Sequence, residues 1–335
     1  MLRRNWSLAP VIMIALILLL ISLLDRQRRT VSKSAGVARL FAASPHVGSS
    51  RGESQANELV TVVTAYWNIG SIEEGIETDA KTPALYYTYA DTYMFVLNPV
   101  VVYSDDARIL ERFRNVRANL STETILVNRD ELWSFKLETR IAKVYSNPLY
   151  PKHHPNTVVP LYPCATHAKY DVMSLAVQSN FFNSDYFAWV DMGYWRDMYP
   201  ELGASYKFGV SLPPQFDSEM VAYTEAFACR PDLSIENIYK KSYTSLTGGL
   251  FIGHGDQLLQ LAEEYRFVTE KYLRQGLANT DQQVLYAMFS KYNNDTAKVR
   301  PQRYVWNQSR LNRWMYLGHL LRDEWYERHH IKSIL

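Results

Sequence analysis

Tyr186-Phe-Ala-Trp-Val-Asp191-Met-Gly193 is the stretch on which the fold turns. Its first five residues are aromatic or β-branched apart from one alanine, with no polar alternation, and read as a strand buried on both faces. The strand runs into an acid and then a glycine, which permits a turn of close backbone approach. Ahead of it, His167 to Phe182 reads as a helix.

The same reasoning gives three more strands. Leu59 to Trp67 is rich in β-branched and aromatic residues and exits at Asn68-Ile69-Gly70. Val100 to Tyr103 comes after Pro99 and ends at Ser104-Asp105-Asp106, and Leu246 to Gly253 is the fourth strand. Helices are expected at Arg108 to Ala118, with Ile109, Phe113 and Val116 on one face, and at Asp256 to Leu273, where Leu258, Leu261, Tyr265, Val268 and Tyr272 recur at helical spacing. Thr280 to Tyr292 is a further helix that Thr280 can cap. Strands alternating with helices imply an α/β fold: an open, mixed, mainly parallel sheet flanked by helices. Ligands of such sheets lie at the carboxyl ends of the strands. Asn68, Asp105, Asp106, Asp191 and His254 stand at those expected ends. No P-loop and no Gly-x-Gly-x-x-Gly opens a helix after a strand, which removes support from two common nucleotide-binding folds.

The N-terminus carries a different signal. From Trp6 to Leu24 the chain is apolar, with Val11 to Leu24 interrupted by Ser22 alone, and Arg3, Arg4 and Asp25-Arg26-Gln27-Arg28-Arg29 bracket it. About nineteen residues at ~1.5 Å each nearly span a ~30 Å hydrocarbon layer. Charges meet the run directly, without the small residues of a cleavage site, so an uncleaved signal anchor is expected. The organisation is then a tail at 1–5, a transmembrane anchor at 6–24, a Ser/Gly/Arg-rich stem at 25–57 and a folded domain at 58–335. The excess of basic residues after the helix would place the domain in the cytoplasm. The short N-terminal tail, the long chain beyond the anchor and the sequons at Asn119, Asn294 and Asn307 oppose that. The expectation is a type II single-pass protein with its C-terminal domain in the lumen of the Golgi or endoplasmic reticulum.

Composition excludes other classes. The chain is 47% hydrophobic with 36 basic and 34 acidic residues, which suits a buried core and gives no broad basic field for nucleic acid. Cys164 and Cys229 belong to no zinc-type cluster; a lumenal disulfide and two free thiols both remain open.

Chemistry concentrates in a few residues. Asp191 is delivered by a buried strand to a glycine turn and could supply an oxygen ligand to a hard cation on a diphosphate, or it could merely cap the turn or pair with Arg196. Gly248 and Gly249 beside a strand suggest close approach of a ligand or of another backbone, or a packing bulge. His254 could bind a metal, bond a sugar or be structural. Asp281 and Gln282 open a helix, where an acid also suits the helix dipole.

These residues resemble a family. Thr64-Ala-Tyr-Trp67, Asn180 to Asp185 with Asp191-Met-Gly193, Gly248 to Gly253, and Asp281-Gln282 occur in the order seen in HtrL/YibB-like proteins, over about residues 58 to 325. That family resembles the GT-A nucleotide-diphospho-sugar transferases, which implies a GT-A-like fold, a nucleotide-sugar donor and a divalent metal, Mn or Mg. Asp191 corresponds to the first acid of the Asp-x-Asp metal motif of those enzymes, whereas Gly193 replaces the second. Asp281 corresponds in order to their later acid, which faces the acceptor. Lys169, on the helix before the central strand, could offset diphosphate charge or be a solvated helix lysine.

The resemblance therefore implies a glycosyltransferase acting on a glycan or protein hydroxyl, with Asp191 positioning metal and diphosphate and Asp281 as base or acceptor orienter; to these the residues themselves add Lys169, Gly248 and Gly249 as candidate donor contacts and His254 as a candidate metal ligand. A non-catalytic lumenal module binding a sugar or a protein is the alternative, supported by Gly193. A glycoside hydrolase would need two acids facing one another, for example Asp191 and Asp281.

Overall fold

Aromatic and β-branched residues build the middle of the sheet, and amphipathic or apolar helices cover it. The computed structural model describes residues 59–72, 82–196, 207–293, 297–307 and 312–330. The expected anchor at 6–24 and stem at 25–57 lie outside them, and among the described residues no helix is long and apolar enough to cross a membrane. In chain order the elements are β1 (Val60–Tyr66), α1 (Pro83–Asp91), β2 (Val100–Ser104), α2 (Ala107–Val116), β3 (Thr122–Leu126), α3 (Glu138–Tyr145), α4 (Leu161–Ser179), β4 (Tyr186–Val190), β5 (Met220–Glu225), α5 (Ile235–Lys240), β6 (Leu246–His254), α6 (Gly255–Leu273), α7 (Asp281–Met288), β7 (Arg300–Val305) and α8 (Tyr316–Arg328).

The strands form one seven-stranded sheet in the order β3-β2-β1-β4-β6-β5-β7. β1 runs parallel to β2 and β4, β2 to β3, and β5 to β7. β6 is antiparallel to both of its neighbours. The chain thus lays β2 and β3 on one side of β1 and returns to lay β4 on the other. This reversal opens a crevice above the carboxyl ends of β1 and β4.

Alternation along each strand sends side chains to two cores. Val63, Val101, Tyr103, Phe187, Trp189 and Phe251 face the layer of α3, α4, α6 and α7, where Ile141, Met173, Leu258 and Leu285 are buried. Val60, Val62, Val100, Val102, Ala188 and Ile252 face α1, α2 and α8, against Phe113, Leu317 and Leu321. Local chemistry sets the helix ends. Asp106 accepts a hydrogen bond from the Arg108 amide at 2.9 Å and starts α2. Asn180, at φ 37°, stops α4 at Ser179, short of the expected Phe182.

The direction of β6 corrects one expectation. Its register pairs Val190 with Leu250 and Tyr186 with His254, so the carboxyl end of β6 lies beside the beginning of β4. His254 therefore stands at the opposite end of the strands from Asp191, where its ring accepts from the Asp256 amide and caps α6. It cannot share a metal ion with Asp191. Cys164 and Cys229 are both free thiols, so no disulfide joins them.

Candidate functional site

A cavity of about 490 Å³ occupies the crevice where β1 and β4 diverge. Six aromatic side chains stand in its walls: Tyr66 and Trp67 from the end of β1, Tyr86 and Tyr89 from α1, Tyr162 from α4, and Trp189 from β4. Lys169, Asp191, Gly248 and Asp281 also line it, as do Thr166, Gln282 and, at the exposed end of the turn after β4, Arg196.

Three of the residues singled out from sequence converge on one atom of a fourth. The Lys169 ammonium donates to the Gly248 carbonyl at 2.7 Å, to Asp281 Oδ2 at 2.8 Å and to Asp191 Oδ1 at 3.3 Å. Helix α4 places it there because it is buried on more than one face, with His167, Lys169, Tyr170, Asp171 and Val172 all enclosed. Lys169 is thus no solvated helix lysine, and its three protons are all committed. Burial alone would push the ammonium toward neutrality. The two carboxylates outweigh that and raise its pKa, so it stays charged. Removing its charge would strand two carboxylates, at a cost on the order of 3–5 kcal/mol.

The two acids are not equivalent. Lys169 and Asp281 each expose 4% of their side chains, whereas Asp191 exposes 47%. Asp191 Oδ1 is held from behind by Lys169 and by the Trp189 indole N–H at 2.7 Å, which leaves its other oxygen toward the cavity. Desolvation by the walls raises the Asp191 carboxyl above the usual carboxylate range against the pull of Lys169. Solvent reaching its open face tempers that rise. Asp191 neither pairs with Arg196, which donates to the Gly193 carbonyl at 2.9 Å, nor serves the turn through its side chain.

The paired glycines explain themselves sterically. A Cβ on Gly248 would run into Asp281 Oδ2, and one on Gly249 would meet Tyr194 at 3.3 Å and Asp191 Oδ2 at 3.5 Å. Gly248 makes room for the acid and the lysine, while the Gly249 carbonyl accepts from the Asp191 amide at 2.8 Å. Their first task is to admit protein groups. Gly193 is equally constrained, since a Cβ there would lie 2.8 Å from the Tyr89 ring. The other polar strand ends are occupied locally. Asp105 accepts from the Asn68 amide at 2.9 Å and from Arg129 at 3.0 Å.

Trp189 joins the site without having been expected there, although the sequence carries its signal. Residues two apart on a strand share a face, so the indole two positions before Asp191 has to accompany its carboxylate. Thr166 has no such signal; its hydroxyl meets the Asp281 amide at 3.3 Å only through packing of α4 on α7.

A family described as "Bacterial protein of unknown function (HtrL_YibB)" matches residues 58–302, which include Lys169, Asp191, Gly248, Gly249 and Asp281. The chain belongs to the HtrL_YibB family. No curated protein matches it. Four of these residues, Lys169, Asp191, Gly248 and Asp281, line the HtrL_YibB cavity and span 112 positions of that matched region.

The divalent cation implied by the GT-A resemblance does not fit these donors. Among the described residues no group of three His, Cys, Asp or Glu is placed to hold a metal ion. A hard cation of this size takes about six oxygens, and on a diphosphate one or two of them come from protein carboxylates, the rest from phosphate and water. Here Asp191 offers one outward oxygen, Gly193 stands where a second acid would be, and Asp281 is turned onto Lys169. A dication on Asp191 would also face a fixed ammonium across the same carboxylate, and like charges so placed repel.

Proposed function

We propose that this protein is a glycosyltransferase that moves a sugar from a nucleotide-diphosphate donor to a hydroxyl of a glycan or protein. The observation that carries the reading is the cavity itself: a switch-point crevice walled by aromatic rings, with one half-exposed carboxylate fixed at its base. Aromatic faces stack on the C–H faces of sugars and on nucleobases, while a carboxylate receives sugar hydroxyls. The crevice lies where ligands of open α/β sheets bind.

In this reading the acceptor oxygen forms a bond to the anomeric carbon of the donor. The bond from that carbon to the diphosphate oxygen breaks, and its electron pair leaves with the nucleotide diphosphate. The acceptor proton passes to Asp191, whose outward oxygen faces the cavity and whose raised pKa suits a base better than an ordinary carboxylate. Asp281 takes a different part from that of acceptor base. It is enclosed and holds Lys169, so it positions the site without reaching the substrate.

A second reading, a sugar-binding module without chemistry, draws on the saturation of Lys169 and the enclosure of Asp281, which leave one acid to work with. A glycoside hydrolase would require the two acids to flank a glycosidic bond, whereas these converge on one ammonium. The deciding experiment measures release of UDP, GDP or CMP from the corresponding UDP-, GDP- and CMP-linked sugars, the last a monophosphate control, together with the thermal midpoint of the protein in their presence. Turnover abolished in Asp191→Asn supports the transferase. A midpoint shift without turnover over a broad acceptor panel favours the binding module, and no response of either kind sinks both.

A further inference from the structure

We infer that the cavity takes its carbohydrate ligand without a divalent metal ion: the Lys169 ammonium is the resident cation of the site, and Asp191 meets the ligand directly. This rests on the carbohydrate reading above and adds the mode of recognition.

The ammonium is held as a metal ion would be. A metal in such a site would be fixed by two carboxylates and a carbonyl, and those are the partners of Lys169: Asp191 at 3.3 Å, Asp281 at 2.8 Å and the Gly248 carbonyl at 2.7 Å. Gly248 is required for that arrangement, because a Cβ would enter the Asp281 carboxylate. The indole of Trp189 completes the cage, with its N–H on Asp191 at 2.7 Å and its ring 5.5 Å from the ammonium. The cation is built into the chain, so it is present whether or not a ligand is bound.

This arrangement shapes recognition in two ways. The inner oxygen of Asp191 is satisfied by protein donors, which leaves the outer oxygen to accept from a ligand hydroxyl. Lys169 has no proton left for a phosphate, so among the described residues that line the cavity the positive charge offered to the diphosphate of a donor is at the rim. Arg196 lines the cavity there, exposed and anchored by its bond to the Gly193 carbonyl. The base of the cavity thus reads the neutral sugar and its rim reads the anion.

The test uses the full-length chain and UDP-, GDP- and CMP-linked sugars, titrated once with EDTA and once with Mn²⁺. Free Mn²⁺ is followed in parallel by electron paramagnetic resonance. The expected result is an affinity for the accepted nucleotide sugar that differs by less than about two-fold between the two conditions, with a Mn²⁺ signal that the wild-type protein leaves undiminished. Arg196→Gln should weaken the nucleotide sugar at least about ten-fold while leaving the free monosaccharide unaffected. Lys169→Ala should begin to bind Mn²⁺, because its two carboxylates lose their counter-ion. Should that variant not fold, the wild-type titrations decide alone. An affinity raised ten-fold or more by Mn²⁺, or a Mn²⁺ signal quenched by wild type but not by Asp191→Asn, overturns the inference and leaves the carbohydrate reading standing. Absence of binding by every sugar in both conditions removes the carbohydrate reading, and this inference with it.

Discussion

His167 sits two residues before Lys169 and is as deeply enclosed, with its Nδ1 2.6 Å from the Tyr265 hydroxyl. Burial, aided by the charge of Lys169, depresses its pKa to about 3. The unfolded chain would protonate it near pH 6.5. Between those values the unfolded state binds the extra proton, so the stability that neutral His167 contributes is complete above about pH 6.5 and falls as the pH drops toward the folded value, by on the order of 4 kcal/mol over the window. Chemical denaturation of wild type from pH 7 to pH 4 should show that slope, and His167→Gln should flatten it. An unchanged slope in the variant would assign the acid sensitivity to other groups. This residue also marks a limit of sequence reading. His167, Lys169 and Asp171 look like ordinary solvated positions of a helix, and only the packing of α4 beneath α6 shows that they are interior.

At the scale of elements, the legibility of strands follows burial except at β5, where Met220–Glu225 is buried but its short run, with Thr224 and Glu225 at the end, gives no strand signal in sequence. β1, β2, β4 and β6 are apolar enough to be recognised, and each expected span lies within a few residues of the observed one. β3 and β7 escape such a reading because Thr122–Leu126 and Arg300–Val305 are edge strands with half-exposed, partly charged sequences. α8 escapes it for the opposite reason: Tyr316, Leu317, Leu321, Arg322 and Tyr326 are all buried, which leaves no clear apolar stripe. The ends of β4 and β6 show what periodicity withholds. Both strands are visible in sequence, but strand direction is a property of the sheet, and the reversal of β6 carries His254 away from the site while bringing Gly248 into it. α8 also matters to the cavity. The Gly318 amide donates to the Tyr194 hydroxyl at 3.1 Å, three residues after Asp191. A Cβ on Gly318 would run into the Tyr194 ring. Gly318→Ala should therefore destabilise the fold by about 1–3 kcal/mol and weaken ligand binding, because the turn carrying Asp191 must shift. Urea midpoints and ligand-induced thermal shifts would both register it; full binding at reduced stability would uncouple α8 from the site.

For the whole molecule, the unusual component is tyrosine, with 24 in the chain. Burial raises many of them: Tyr66 and Tyr150 are pushed up to about 12, and Tyr93, Tyr103 and Tyr194 higher still. An unfolded tyrosine ionises near pH 10. Above that value the unfolded chain sheds protons that the folded chain keeps, so stability is complete below about pH 10 and is lost as the pH climbs toward the folded values. Alkaline titration should show most tyrosinate absorbance appearing together with the loss of far-ultraviolet ellipticity. Gradual ionisation of a folded protein would contradict the enclosure described for these rings. The composition announces an aromatic core, and the sheet explains where it goes: onto two faces, with a remainder lining one crevice.

The bonds that define the cavity are also long in sequence. Lys169 reaches Asp281 across 112 positions, and Tyr194 reaches Gly318 across 124. Contacts this distant close late, after the entropy of large loops has been overcome. During synthesis the ribosome delivers β4 with Asp191 long before α7 and α8 emerge. The nascent chain therefore holds a lysine and an unsatisfied carboxylate with no crevice between them, and the cavity takes shape only at the completion of its own folding.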